Sequence, residues 1–103
     1  MKCLTFLFLK ILLLSNFVMA ETIPTKSKIL KDASYCIKDS QAQVCKELVF
    51  EIEKLQLLVF DQNRFKCQSS LLGLQSAIVG AYFLKNFSNE RISFMIPYVI
   101  KYC

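Results

Sequence analysis

Five cysteines, Cys3, Cys36, Cys45, Cys67 and Cys103, carry most of the reactive chemistry in a 103-residue chain that has no histidine and no tryptophan. A thiolate can ligate a metal, exchange disulfides or attack a carbonyl, and each role needs companions at suitable spacing. The last four cysteines are separated by 9, 22 and 36 residues, with no Cys-x-x-Cys pair and no histidine or paired carboxylate beside them. Metal binding and redox catalysis are therefore poorly served, and a serine or cysteine nucleophile lacks its usual base. Glu47, Glu51, Glu53 and Asp61 are spaced as a solvated helix face, and with only two glycines there is no phosphate-cradling loop. The expectation is a non-enzyme without metal or cofactor, in which cysteine acts structurally.

The compartment follows from the first 20 residues. Lys2 precedes a run of Leu, Phe and Ile that ends on Val18-Met19-Ala20, the small residues that a signal peptidase reads, so cleavage before Glu21 is expected. Lys10 interrupts the run, which falls short of the roughly 20 apolar residues of a membrane span. Cys3 lies ahead of the run and leaves with it. Four cysteines in a short exported chain imply two disulfides in an oxidising compartment, periplasmic or extracellular. Losing Lys2 and Lys10 lowers the formal charge from +5 to +3. The remaining charges alternate in sign along the chain, which does not support a nucleic-acid footprint.

The elements that must position these cysteines are helices. A leader, 21–27, has no apolar period and reads as flexible. Ile29, Leu30, Ala33 and Cys36 predict a first helix over 28–38, and Asp39-Ser40 offers caps for a second with the seam Val44, Leu48, Ile52, Leu55 and Val59. A third helix is predicted over 65–87 on Leu71, Leu74, Ile78 and Tyr82. Ser69, Gly73, Ala77 and Ala81 recur along it at steps of four, a groove for close helix packing. The fourth runs from Ser88 or Asn89 through Ile92, Met95, Ile96, Val99 and Ile100, with Pro97 expected to kink it or divide it into 89–96 and 97–102. A strand over YVIKYC would have no partner. The whole predicts an all-α domain over 28–103, a small disulfide-stapled bundle of three to four helices. Among three possible connectivities, an antiparallel hairpin brings Cys67 to Cys103 and leaves Cys36 to Cys45 across the turn at Asp39.

Ten Phe and Tyr residues remain after cleavage. Most are expected in the core, with the surplus forming a surface for a protein partner or a second copy. Phe50, Leu57 and Phe60 on the long helix and Tyr98 and Tyr102 on the last are the candidates. Asn86-Phe87-Ser88 is a glycosylation triplet that matters only in a eukaryotic secretory pathway.

The stretch CQSSLLGLQSAIVGAYFLKNF from Cys67, with the closing IPYVIKYC, resembles the small exported EirA-type proteins associated with the Dot/Icm type IVB secretion system of intracellular bacteria. Helical periplasmic immunity proteins of the Tai type share these features loosely. The first resemblance implies a non-enzymatic periplasmic accessory protein whose partners are inner-membrane secretion components. Two alternatives compete with it: a secreted effector or immunity-type inhibitor, and a helical protein that binds membrane surfaces through its positive charge and apolar strip.

Overall fold

The computed structural model describes residues 23–85 and 89–103. The signal segment 1–20, its cleavage before Glu21 and the Asn86 triplet lie outside them. Four helices follow in order: α1 Lys26–Lys38, α2 Gln43–Asp61, α3 Phe65–Tyr82 and α4 Asn89–Tyr102. Among the described residues there is no strand, so YVIKYC is helical as part of α4, and no helix is long and apolar enough to cross a membrane.

Short connections force successive helices to run antiparallel. α1 packs on α2 and α4, and α3 packs on the same two, so the four helices close into a ring with α2 and α4 diagonally opposed. The core is aliphatic. α2 contributes Cys45, Leu48, Ile52, Leu55 and Val59, and α3 contributes Cys67, Leu71, Leu74, Ile78 and Ala81, both at alternating steps of three and four. That rhythm corrects the expected seams at their ends: Cys45 and Ala81 are buried, whereas Val44 and Tyr82 are half-buried. α1 adds Ile29, Ala33 and Cys36, and α4 adds Ile92 and Val99, while Ile100 is exposed.

The aromatic residues do not form the core. Among the described residues no Phe or Tyr is buried, because the narrow interior between close-packed helices accepts Ile, Leu, Val, Ala and Cys at the seam positions, and the rings fall between those positions.

The disulfides pair Cys36 with Cys45, at a Cα separation of 5.2 Å, and Cys67 with Cys103, at 4.7 Å. The first joins the end of α1 to the start of α2. The second joins the start of α3 to the end of α4, so the two staples sit at opposite ends of the bundle. Hydrogen bonds reinforce each end. At the Cys36 end, Asn89 Nδ2 donates to Ile37 O at 2.7 Å and Gln41 Nε2 to Ala81 O at 3.0 Å. At the Cys103 end, Lys26 Nζ donates to Ile100 O and Arg64 Nη2 to Cys103 O, each at 2.9 Å, placing two cations on the carbonyls that α4 leaves unpaired.

Several boundaries differ from expectation for local reasons. Thr25 Oγ1 accepts from Lys28 N at 3.2 Å, which starts α1 at Lys26 and takes Lys26 and Ser27 out of the leader assigned to 21–27. Asp39 does not cap α2: its Oδ1 receives Gln41 N and its backbone O receives Ala42 N, forming a turn that delays the helix until Gln43. Asn63, at φ 59°, ends α2, with Arg64 N bonded to Val59 O and Asn63 N to Phe60 O. This is a Schellman arrangement with asparagine in the left-handed position that glycine usually fills. α3 stops at Tyr82, short of Phe87, where Gln41 takes up the Ala81 carbonyl and Lys85 turns left-handed at φ 56°. α4 is not divided at Pro97. Both Pro97 and Ser93, whose carbonyl loses its donor, are exposed, on the side of α4 where a missing helical bond costs least.

Two polar contacts fix how α2 meets its neighbours. Gln56 is buried and its Nε2 donates to Gln75 Oε1 at 2.8 Å, while Gln75 Nε2 donates to Val49 O and Glu53 Oε2, each at 3.0 Å, pinning the register of α2 on α3. Between α1 and α2, Lys28 pairs with Glu51 and, at 3.3 Å, with Asp32. The hydrogen bond that Lys28 donates to the Glu51 carboxylate is the main cause raising the Lys28 pKa above 10.5, burial opposing it and Asp32 adding to it. A raised lysine pKa means the pair stabilises the fold fully below pH 10.5 and ceases to do so as pH rises through the folded-state value. We expect Lys28→Met to melt below the parent at neutral pH and the gap to close above pH 10.5, read from thermal melts of both proteins across that range.

Candidate interaction surfaces

The structure splits the five expected surface residues between two places. Phe50 and Leu57, both 58% exposed, lie two helical turns apart on the side of α2 opposite its buried seam. Around them stand Lys46, Glu47, Glu53 and Lys54, charges of both signs on the same exposed face. Tyr98 and Tyr102 belong elsewhere, on the side of α4 that meets α3. Phe60 reaches toward that second place: its ring meets Phe65 edge-on with centroids 6.0 Å apart.

The small-residue ladder lies partly on the α3–α4 seam, where α4 packs closely on α3. Ser69, Gly73, Ala77 and Ala81 do not act alike. Ala81 is core, Ala77 is buried at the seam, and Ser69 is exposed. At Gly73 the thioether of Met95 lies nearest, and a cleft opens on each side of Met95. One, of about 400 Å³, is lined by Phe65, Lys66, Ser69, Ser70, Tyr98 and Tyr102. The other, of about 580 Å³, lies between Gly73, Ser76 and Ala77 on α3 and Glu90, Arg91 and Phe94 on α4.

This difference changes what substitution at Gly73 does. A Cβ built there would meet Met95 Cε at 2.3 Å, the free end of a flexible side chain with a cleft on either side to enter. Gly73→Ala is therefore expected to melt at or above the parent temperature, since alanine gains up to about 1 kcal/mol of helix propensity. Ala77→Leu, at a buried position, is expected to cost about 1–3 kcal/mol by overpacking. Denaturant titration of the two variants checks the contrast.

The surfaces differ in electrostatics. From Arg64 to the C-terminus the chain carries five cations, Arg64, Lys66, Lys85, Arg91 and Lys101, against the single acid Glu90. From Ile23 to Asn63, cations and acids balance at six each. Local alternation of sign along the chain hid this asymmetry. Three of the five, Arg64, Lys66 and Lys101, lie at the Cys103 end, where the Lys66 and Lys101 ammonium groups stand 5.7 and 5.3 Å from the centre of the Tyr102 ring. The ring of Phe94 leans on Tyr98 at 5.6 Å. Among the described residues no group of three or more Cys, Asp or Glu is placed to hold a metal ion.

No family model, no curated protein and no solved structure matches the chain.

Proposed function

We propose that the chain is an exported, non-enzymatic binding protein that acts in the bacterial periplasm by holding a protein partner, in its most specific form as an accessory of a type IVB secretion apparatus at the inner membrane. The observation that carries this reading is the Phe50–Leu57 strip on α2. These two large apolar side chains lie outside the core and stand on one exposed face among Lys46, Glu47, Glu53 and Lys54, and the mixture of apolar anchors with charges of both signs suits a protein partner. The periplasmic setting is supported by Lys2, the apolar run ending in Val18-Met19-Ala20 and two disulfides that a reducing cytosol would not maintain. The secretion-system role rests on the resemblance of the Cys67–Cys103 stretch.

Cell fractionation combined with photo-crosslinking tests it. A crosslinker at position 50 or 57 should yield one discrete protein adduct in the periplasmic fraction, while one at the exposed Lys31 on α1 should not. A reduced cytosolic protein would refute export, and adducts of equal yield from all three positions would refute the α2 strip as the site. Deletion should impair secretion. Unchanged secretion together with lost survival of a toxin challenge would identify an immunity-type inhibitor instead.

A further inference from the structure

We infer that the α3–α4 face is a docking surface for an anionic lipid bilayer, a role separate from the protein partner assigned to α2. Phe94, at 66% exposure the most exposed large apolar residue described, projects from α4 against Tyr98, and Phe65 projects from α3 at the cleft lined by Tyr98 and Tyr102. Phe94 shares its cleft with Glu90 and Arg91, while the cleft toward Cys103 is lined by Lys66 and by no acid. The cations there, Arg64, Lys66 and Lys101, instead join aromatic side chains with long basic ones, the combination that settles at the boundary between acyl chains and headgroups. Charge decides among occupants. A second copy presenting the same face would bring the Lys66 and Lys101 ammonium groups of one molecule toward those of the other. An anionic bilayer answers both properties at once, with acyl chains for the exposed rings and lipid phosphates for the basic groups. The helical run from Phe65 to Tyr82 spans about 27 Å, enough for the face to lie along a membrane without crossing it.

Flotation of the purified, oxidised protein with vesicles tests this. Vesicles mixing phosphatidylcholine with phosphatidylglycerol should carry the protein at low salt, phosphatidylcholine alone should not, and added salt should release it. Lys66→Gln and Lys101→Gln should each weaken partitioning about fivefold. Phe94→Ser should weaken it at least about tenfold. All three sites are exposed, so circular dichroism should show each variant folded, and Phe50→Ser should partition like the parent. Equal binding to both vesicle types, or failure to bind the mixed ones, would overturn the inference. So would insensitivity to Phe94→Ser. A dimer in sedimentation equilibrium that Phe94→Ser dissociates, without vesicle binding, would give the face to a second copy. Vesicle failure with intact crosslinking from position 57 removes this inference and leaves the protein-partner proposal standing, and the reverse pattern does the opposite.

Discussion

Replacing Cys67 or Cys103 with alanine is expected to lower stability by about 4 kcal/mol and replacing Cys36 or Cys45 by about 2.5 kcal/mol, because the closed loops span 36 and 9 residues and the entropy a crosslink removes from the unfolded chain grows with loop length. A domain of this size has about 5–15 kcal/mol in total, so losing the longer loop alone brings it near the edge of folding. Within each pair, the double alanine variant should be no less stable than the worse single one, since both delete one bond. Across the pairs the losses should sum, because the staples sit at opposite ends and share no neighbours. Guanidinium titration of the single and double variants measures all of this. Peptide mapping adds an independent check, and recovery of a Cys36–Cys67 or Cys45–Cys103 linked peptide would overturn the arrangement.

The second large effect is expected at Ile92. α4 places only Ile92 and Val99 fully inside the bundle, with Met95, Ile96 and Cys103 partly covered, so it is held by fewer buried side chains than α2 or α3. Ile92→Ala should cost about 2–5 kcal/mol, the lost transfer energy plus an unfilled cavity. The loss should also be uneven along the helix. The disulfide tethers the Cys103 end covalently, whereas the Asn89 end is held by non-covalent contacts, among them the hydrogen bond of Asn89 to Ile37 O and the burial of Ile92. Hydrogen exchange in Ile92→Ala should therefore accelerate over 89–96 well before 99–103. Uniform acceleration along α4 would show that the helix opens as one unit.

What could be read from the residue order, and what could not, divides along physical lines. The helices and the cysteine pairing follow from spacing alone, because a seam such as Leu48, Ile52, Leu55, Val59 has one geometric meaning and an antiparallel hairpin from Cys67 has one natural end at Cys103. The expectation that most aromatic residues lie in the core fails because bulk hydrophobicity says nothing of seam position: Phe94 is as apolar as Ile92 but points the other way, whereas Phe50, Phe60 and Tyr98, expected at the surface, are exposed. The excess of cations after Arg64 was present in the letters, yet averaging over a chain of alternating signs concealed it. Gln56 and Gln75 were beyond reach, since their pairing depends on the register of two helices, and no single helix reveals that. The Thr25 cap was visible but lay next to Pro24, in a stretch whose composition suggested a leader.

The positions of the staples leave one connection without covalent backup. Each disulfide closes a loop within one helical hairpin, α1 with α2 and α3 with α4, and neither reaches across the residues 62–64 that join the hairpins. Covalently, the molecule is a pair of self-contained halves on a short leash, one electrically balanced and the other strongly cationic. Severing the leash would leave two fragments, each still tied, held together by the aliphatic seam and by the hydrogen bonds that cross it, Gln56–Gln75 with those of Gln75 to Val49 O and Glu53 in the middle and those of Lys26, Gln41 and Asn89 at the two ends. Such fragments should reassociate when mixed. Two intact chains could equally trade halves by straightening the turn at Asn63, so exchange between molecules would be governed by that one left-handed asparagine.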